Sequence, residues 1–260
     1  MTGYKDKRLK GKVAIVTGSA RGIGEGIAIR FAQEGAKVVV IADKDVKGGN
    51  EIAKRINDMG EEAIFIKTDV SKEEDVKNMV QKTIEKYGTV DILVNNAGVA
   101  VSTPIEDCTM EDFDYVTDTD LRGLWMCCRE VIKPMKKAGG GKIINISSTS
   151  GVIAPFPNQT IYSAAKGGVI QLTRSLGVEV CRYNINVNCI APSFIETPLY
   201  EEIDFSLKDP KNLKILTDLE PMGRVGTIEE CGAAAFFLAS KDSDYIVGQT
   251  IFADGGLISW

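Results

Sequence analysis

The 260-residue sequence predicts an α/β fold of the doubly wound type, a single domain spanning residues 1–260 with one parallel sheet of about seven strands and helices on both faces. Three observations carry that expectation. Short β-rich apolar runs recur from residue 12 to the end of the chain. The runs are continuous rather than alternating, as expected for strands buried on both faces. Amphipathic segments fill the intervals, which gives a strand–helix–strand rhythm. No linker and no internal repeat of solenoid period interrupts it.

The elements follow in order. KVAIVT at 12–17 is the first strand, and a glycine-rich turn leads from it into an amphipathic helix over 25–34. KVVVIA at 37–42 is the second strand and ends beside Asp43. AIFIKT at 63–68 is the third, followed by a helix over 73–87. VDILVN at 90–95 precedes a long helical stretch over 110–137, and KIINIS at 142–147 precedes another over 162–183. INVNCI at 185–190 and QTIFAD at 249–254 complete the set. Two stretches break the rhythm: 149–161, which carries Pro155 and Pro157, and 192–227. Both leave the carboxyl ends of strands, where open α/β sheets bind ligands. The longer one suits a lid over a substrate pocket.

Composition excludes several functions. The chain has no histidine, so a Ser-His-Asp or Cys-His relay, an imidazole base and a histidine metal ligand are all impossible. Proton transfer must therefore use Tyr, Lys, Cys or a carboxylate. A net charge of -5 argues against a nucleic-acid or anionic-membrane partner, both of which require a basic face. No apolar stretch approaches eighteen residues and the first residues are polar, so we expect a cytoplasmic protein. Six cysteines without a CxxC pair read as reduced thiols, and no metal site is expected.

The turn after the first strand reads Thr17-Gly18-Ser19-Ala20-Arg21-Gly22-Ile23-Gly24. A pyrophosphate reaches backbone N–H groups at a helix N-terminus only where side chains are absent, so Gly18, Arg21, Gly22, Ile23 and Gly24 are candidate cofactor-binding residues. Asp43, at the end of the second strand, selects between dinucleotides. Its carboxylate can accept hydrogen bonds from the ribose hydroxyls of NAD and would repel the 2′-phosphate of NADP. NAD is the expected cofactor. Lys44 and Arg21, which attract phosphate, keep NADP as the less favoured alternative.

Tyr162 and Lys166 are spaced i, i+4 and share one helix face. A phenol is a poor base at neutral pH, but an adjacent ammonium and a positive nicotinamide ring favour its phenolate. The chain thus has a route to proton transfer without histidine.

Thr17-Gly18-x-x-x-Gly22-x-Gly24, Asn95-Asn96-Ala97-Gly98, Ser148, Tyr162-x-x-x-Lys166 and Asn188-x-x-Ala191-Pro192 occur in the order and approximate spacing of the short-chain dehydrogenase/reductase family. The chain resembles that family from about Leu9 to Gly256. The resemblance implies a Rossmann fold, catalysis by Tyr162 exchanging a proton with the substrate oxygen, Ser148 hydrogen-bonding that oxygen, and Lys166 holding the nicotinamide ribose. Ser147, Thr149 and Ser150 compete with Ser148, which is preferred because it stands three before Gly151. Asp120 occupies the position where relatives carry Asn, the fourth catalytic residue. A carboxylate there raises the Lys166 pKa and weakens its field at Tyr162. By the same resemblance Asp69 and Val70 frame the adenine, Asn96 and Ala97 line the cofactor, and Ile195 and Thr197 reach the nicotinamide. Ser193 replaces a common glycine.

For the substrate, Ser148, Phe156, Phe194, Leu199 and Tyr200 are the candidate contacts, with Val152, Ile153, Pro155 and Phe205 near them. Their apolar bias favours a lipophilic molecule. The expected activity is NAD-linked interconversion of a secondary alcohol and a ketone of hydroxysteroid, polyol or diol type. The alternatives are a 3-oxoacyl thioester reductase, which expects NADPH and a basic docking patch, and a non-catalytic dinucleotide-binding protein. The resemblance also implies a homotetramer.

Overall fold

The computed structural model describes residues 7–203 and 205–259. Seven parallel strands form one sheet in the order β3-β2-β1-β4-β5-β6-β7. They are β1 (Val13–Thr17), β2 (Val38–Asp43), β3 (Ala63–Lys67), β4 (Ile92–Asn95), β5 (Gly141–Ile146), β6 (Ile185–Pro192) and β7 (Thr250–Ala253). Strand order reverses between β1 and β4, so a crevice opens at their carboxyl ends. Every residue of β1, β4 and β6 is buried, as their continuous apolar runs require.

Helices cover both faces. Helices α1 (Gly22–Gln33), α2 (Val46–Asp58) and α9 (Ile228–Ala239) enclose one core, with Ile27, Phe31, Ile56 and Phe236 against Val39, Ile41 and Ile92. Helices α3 (Glu73–Tyr87), α5 (Leu124–Ala138) and α6 (Thr160–Val180) enclose the other, with Met79, Val131, Met135 and Val169 against Val40, Leu93 and Ile143. The remaining helices, α4 (Met110–Thr117), α7 (Leu199–Glu202) and α8 (Pro210–Leu219), lie toward the ligand-binding end.

Helix α9 lacks the amphipathic pattern that marks its neighbours, whereas α2 carries that pattern in spite of two adjacent glycines. Gly48 and Gly49 weaken the helix signal of α2, and Phe65 packs so close that a Cβ on Gly49 would come within 2.2 Å of its ring. Helix α9 is apolar almost all round, so no amphipathic period shows. The helical stretch over 110–137 is interrupted by a π-helical segment, Asp118–Gly123, between α4 and α5. One extra residue per turn there rotates Asp120 inward. The region 192–227 holds α7 and α8, whose residues Tyr200, Leu216 and Leu219 pack with Phe194 and Phe156 over the sheet's edge.

Candidate active site

Two cavities meet at the carboxyl end of the sheet. The first, a cleft of about 210 Å³, runs over the switch point and is lined by Gly18, Arg21, Gly22, Ile23, Asp43, Asp69, Val70, Asn96 and Ala97, ending at Tyr162, Lys166 and Thr197. The second, about 280 Å³, lies under α7 and is lined by Ser148, Phe156, Phe194, Ile195, Leu199 and Tyr200. Tyr162 borders both.

The cleft fits a dinucleotide. Helix α1 starts after Arg21 with no side-chain cap, so its first N–H groups are available to an anion. Gly18 has φ +62°, and a Cβ on it would come 2.6 Å from Ala97 Cα. The Asn96 amide clamps this turn, donating to the Thr17 and Gly18 carbonyls at 3.0 and 2.9 Å. Gly24 does not line the cleft. A Cβ there would lie 2.2 Å from Gly18 O, so its glycine lets the helix close on the turn. Asp43 takes backbone N–H bonds from Ala20 and Asp45, both at 2.9 Å, which aim its carboxylate while leaving lone pairs for a ribose. Ile195 and Thr197 lie where the two cavities meet. Ile195 is 4% exposed and lines the second cavity, while Thr197 borders both.

Ser148 caps a short 3₁₀ turn over Thr149–Gly151, its Oγ accepting from Ser150 N at 3.1 Å, and it lines the second cavity with Tyr162, whose phenol pKa it helps to lower. Thr149, the competing residue, is 1% exposed, and Ser147 is bonded to Lys166 O at 2.7 Å. Ser148 is therefore the hydroxyl beside Tyr162. Phe156 stacks at a tilt on Phe194 and Phe205, with centroids 5.5 and 6.2 Å apart, and Tyr200 joins them. Val152, 48% exposed, and Ile153 do not line this cavity, and Ile153 packs in the cluster of Phe194 and Leu216 instead.

Lys166 is buried, with Nζ 5.5 Å from the Tyr162 ring centroid and 3.3 Å from Ile146 O. Asp120, 1% exposed, places Oδ2 2.9 Å from Nζ, at an angle that makes the contact ionic more than a good hydrogen bond. Its Oδ1 accepts from Val99 N at 2.8 Å. Asp120 borders neither cavity, so it acts through Lys166 and is a positioning residue. Burial pulls the Lys166 pKa down, but Asp120 and Tyr162 outweigh it and the net direction is up. For Tyr162 the expected lowering is reversed in the protein alone. Burial raises the phenol first, Lys166 lowers it, and Asp120 raises it again.

Glu220 carries no signal in the sequence. It follows α8, is 3% exposed, and no local pattern marks it as buried, because its partners Ser193 and Phe194 lie 27 and 26 residues away.

A Rossmann sheet with a glycine turn, and a Ser-Tyr-Lys group beside it, define the class: a dinucleotide-dependent oxidoreductase. A family model described as Enoyl-(Acyl carrier protein) reductase matches residues 18–258. The chain belongs to the short-chain dehydrogenase/reductase family. It is 44% identical over 250 residues to a 3-oxoacyl-[acyl-carrier-protein] reductase FabG of Chlamydia muridarum, covering 96% of this chain and 98% of that one. An uncharacterized oxidoreductase of Thermotoga maritima is 42% identical over 96% of this chain and 96% of its own. Among solved structures, a gluconate 5-dehydrogenase from Burkholderia cenocepacia in complex with NADP and tartrate superposes with a TM-score of 0.91 at 36% identity, covering 98% of each chain. The protein is an oxidoreductase acting on CH–OH groups with an NAD(P) cofactor.

Proposed function

We propose that the protein reduces the ketone of a 3-oxoacyl thioester to the secondary alcohol, with NAD(H) preferred over NADP(H). The observation that carries the chemistry is Tyr162 at the wall shared by the cofactor cleft and an apolar cavity, with Ser148 beside it. The acyl substrate is supported by the FabG relatives, 41 to 44% identical to this chain, and by the aromatic wall of Phe156, Phe194 and Phe205. Asp43 supports NAD(H).

Gly18, Gly22, Asp43, Asn96 and Thr197 would hold the dinucleotide, which when bound supplies the hydride. The chain's own residues do the rest. Ser148 Oγ–H donates a hydrogen bond to the ketone oxygen and fixes its place. Tyr162 Oη–H gives that oxygen its proton, completing the alcohol. Lys166 stabilises the phenolate left behind, and Asp120 sets how strongly. The aromatic wall excludes water from one side.

A second reading, an NAD-linked dehydrogenase of a free hydroxysteroid, polyol or diol, is favoured by Asp43 and by a substrate cavity with no Lys or Arg among its lining residues. Nicotinamide absorbance read with acetoacetyl-CoA and with free ketones, each with NADH and NADPH, separates the two. Turnover of the thioester supports the first reading. Turnover of free ketones alone overturns it. Assembly as a homotetramer belongs to the same proposal, supported by the exposed apolar residues Met110, Phe113 and Trp125 on α4 and α5, and is read by light scattering.

A further inference from the structure

We propose that Glu220 is a positioning residue that latches the lid to the wall shared by cofactor and substrate. Glu220 is the residue immediately after α8 and lies 3% exposed at the end of β6. Its Oε1 accepts from Ser193 Oγ and from Phe194 N, the latter at 3.4 Å. These two residues begin the segment that puts Phe194 and Ile195 into the substrate cavity and Thr197 into the cofactor cleft. One carboxylate therefore ties the end of the lid helix to the backbone that shapes both cavities.

The neighbouring backbone is braced in the same sense. Gly226 N donates to Phe194 O at 2.8 Å, Glu196 N donates to Gly226 O at 3.1 Å, and Gly223 N donates to Glu220 O at 2.8 Å. The lid thus returns to the 194–196 strip at two points, through Gly226 and through Glu220. The second point depends on the Glu220 side chain. It also gives Ser193 a purpose, because a glycine there would leave Oε1 with the long Phe194 contact only.

A carboxylate is a costly way to fill a buried position. Its Oε2 has no partner, and burial is the main force raising its pKa, with Asp254 adding to it while Ser193, Phe194 and Arg224 oppose. A residue that served only packing would be better apolar. The charge-assisted hydrogen bond to Ser193 is what an apolar residue could not supply.

The inference rests on the oxidoreductase reading but on no particular substrate, so NADH binding measured by fluorescence is the primary test. Glu220→Ala is expected to weaken NADH about tenfold, and to raise the KM of whichever ketone is turned over more than it lowers kcat. Ser193→Ala should move both in the same direction by a smaller factor. Glu220→Gln, whose amide oxygen still accepts from Ser193 and Phe194, should recover most of the loss, which a purely electrostatic role would not allow. The Ser193→Ala/Glu220→Ala double variant should be no worse than Glu220→Ala, because the hydrogen bond lost in Ser193→Ala is one of the two that Glu220→Ala already removes. NADH binding and KM unchanged in Ser193→Ala, a variant with little reason to misfold, would overturn the latch. Fully additive losses in the double variant would overturn it too. A chain that binds NADH through an intact latch but turns over no ketone would instead count against the functional reading.

Discussion

Replacing Asp120 by Asn removes a buried negative charge from the catalytic lysine while keeping size and shape. The carboxylate lies 2.9 Å from Lys166 Nζ, and that nitrogen is 5.5 Å from the Tyr162 ring centroid. The charge is therefore no more than about 8 Å from the phenol ring. At an effective dielectric of about 20, a unit charge at that distance is worth roughly 2 kcal/mol, or about 1.5 pKa units. Solvent in the cleft reduces this, so a fall of about one unit in the Tyr162 pKa is expected. The sign follows from the balance at each group. Asp120 raises Tyr162 and raises Lys166, so its neutralisation lowers both. For alcohol oxidation, the rising limb of kcat/KM reports the tyrosine losing its proton and moves to lower pH. A falling limb from Lys166 moves down with it. The assay is the pH–rate profile of the two proteins, backed by ultraviolet difference titration of the tyrosine in the absence of cofactor, with Tyr162→Phe as the blank. Identical profiles and identical titrations would refute the reasoning.

Three further substitutions test the site. Tyr162→Phe should lower turnover by a factor of about 10² to 10⁴ while NADH binding stays within about twofold, as measured by fluorescence. Loss of binding instead would move Tyr162 from proton transfer to structure. Asp43→Asn keeps the shape that accepts from Ala20 but loses the charge, so NADH should bind about tenfold more weakly and NADPH more tightly in parallel titrations. An unchanged ratio would remove Asp43 from cofactor choice. Gly24→Ala brings a Cβ to 2.2 Å from Gly18 O, so NADH binding should fall at least about tenfold and thermal unfolding should show a loss of roughly 1–3 kcal/mol. Wild-type binding by this variant would show that the turn yields without cost.

Much of the site is legible because its parts are local. Gly18 to Gly24, Asp43, Ser148, and Tyr162 with Lys166 each sit at a fixed offset from a strand end or on one helix face, and short-range spacing decides where they point. Helix α9 is less legible, because it is apolar almost all round and tertiary packing stabilises it where the local pattern is weak. The Ile195 side chain fell on the substrate side, an outcome set by how the 193–197 strip pairs with Gly226.

The missing histidine excluded imidazole chemistry outright, and the apolar runs determined a buried parallel sheet, because both depend only on residue type and order. The family resemblance already set Asp120 against Lys166, while tertiary structure alone decided that Glu220 meets Ser193. The first contact spans 46 residues and needs a π-helical turn, and the second closes a lid on a strand end. Which buried charge finds which partner depends on chain segments that approach only after the two cores have packed, and no local spacing encodes that distance.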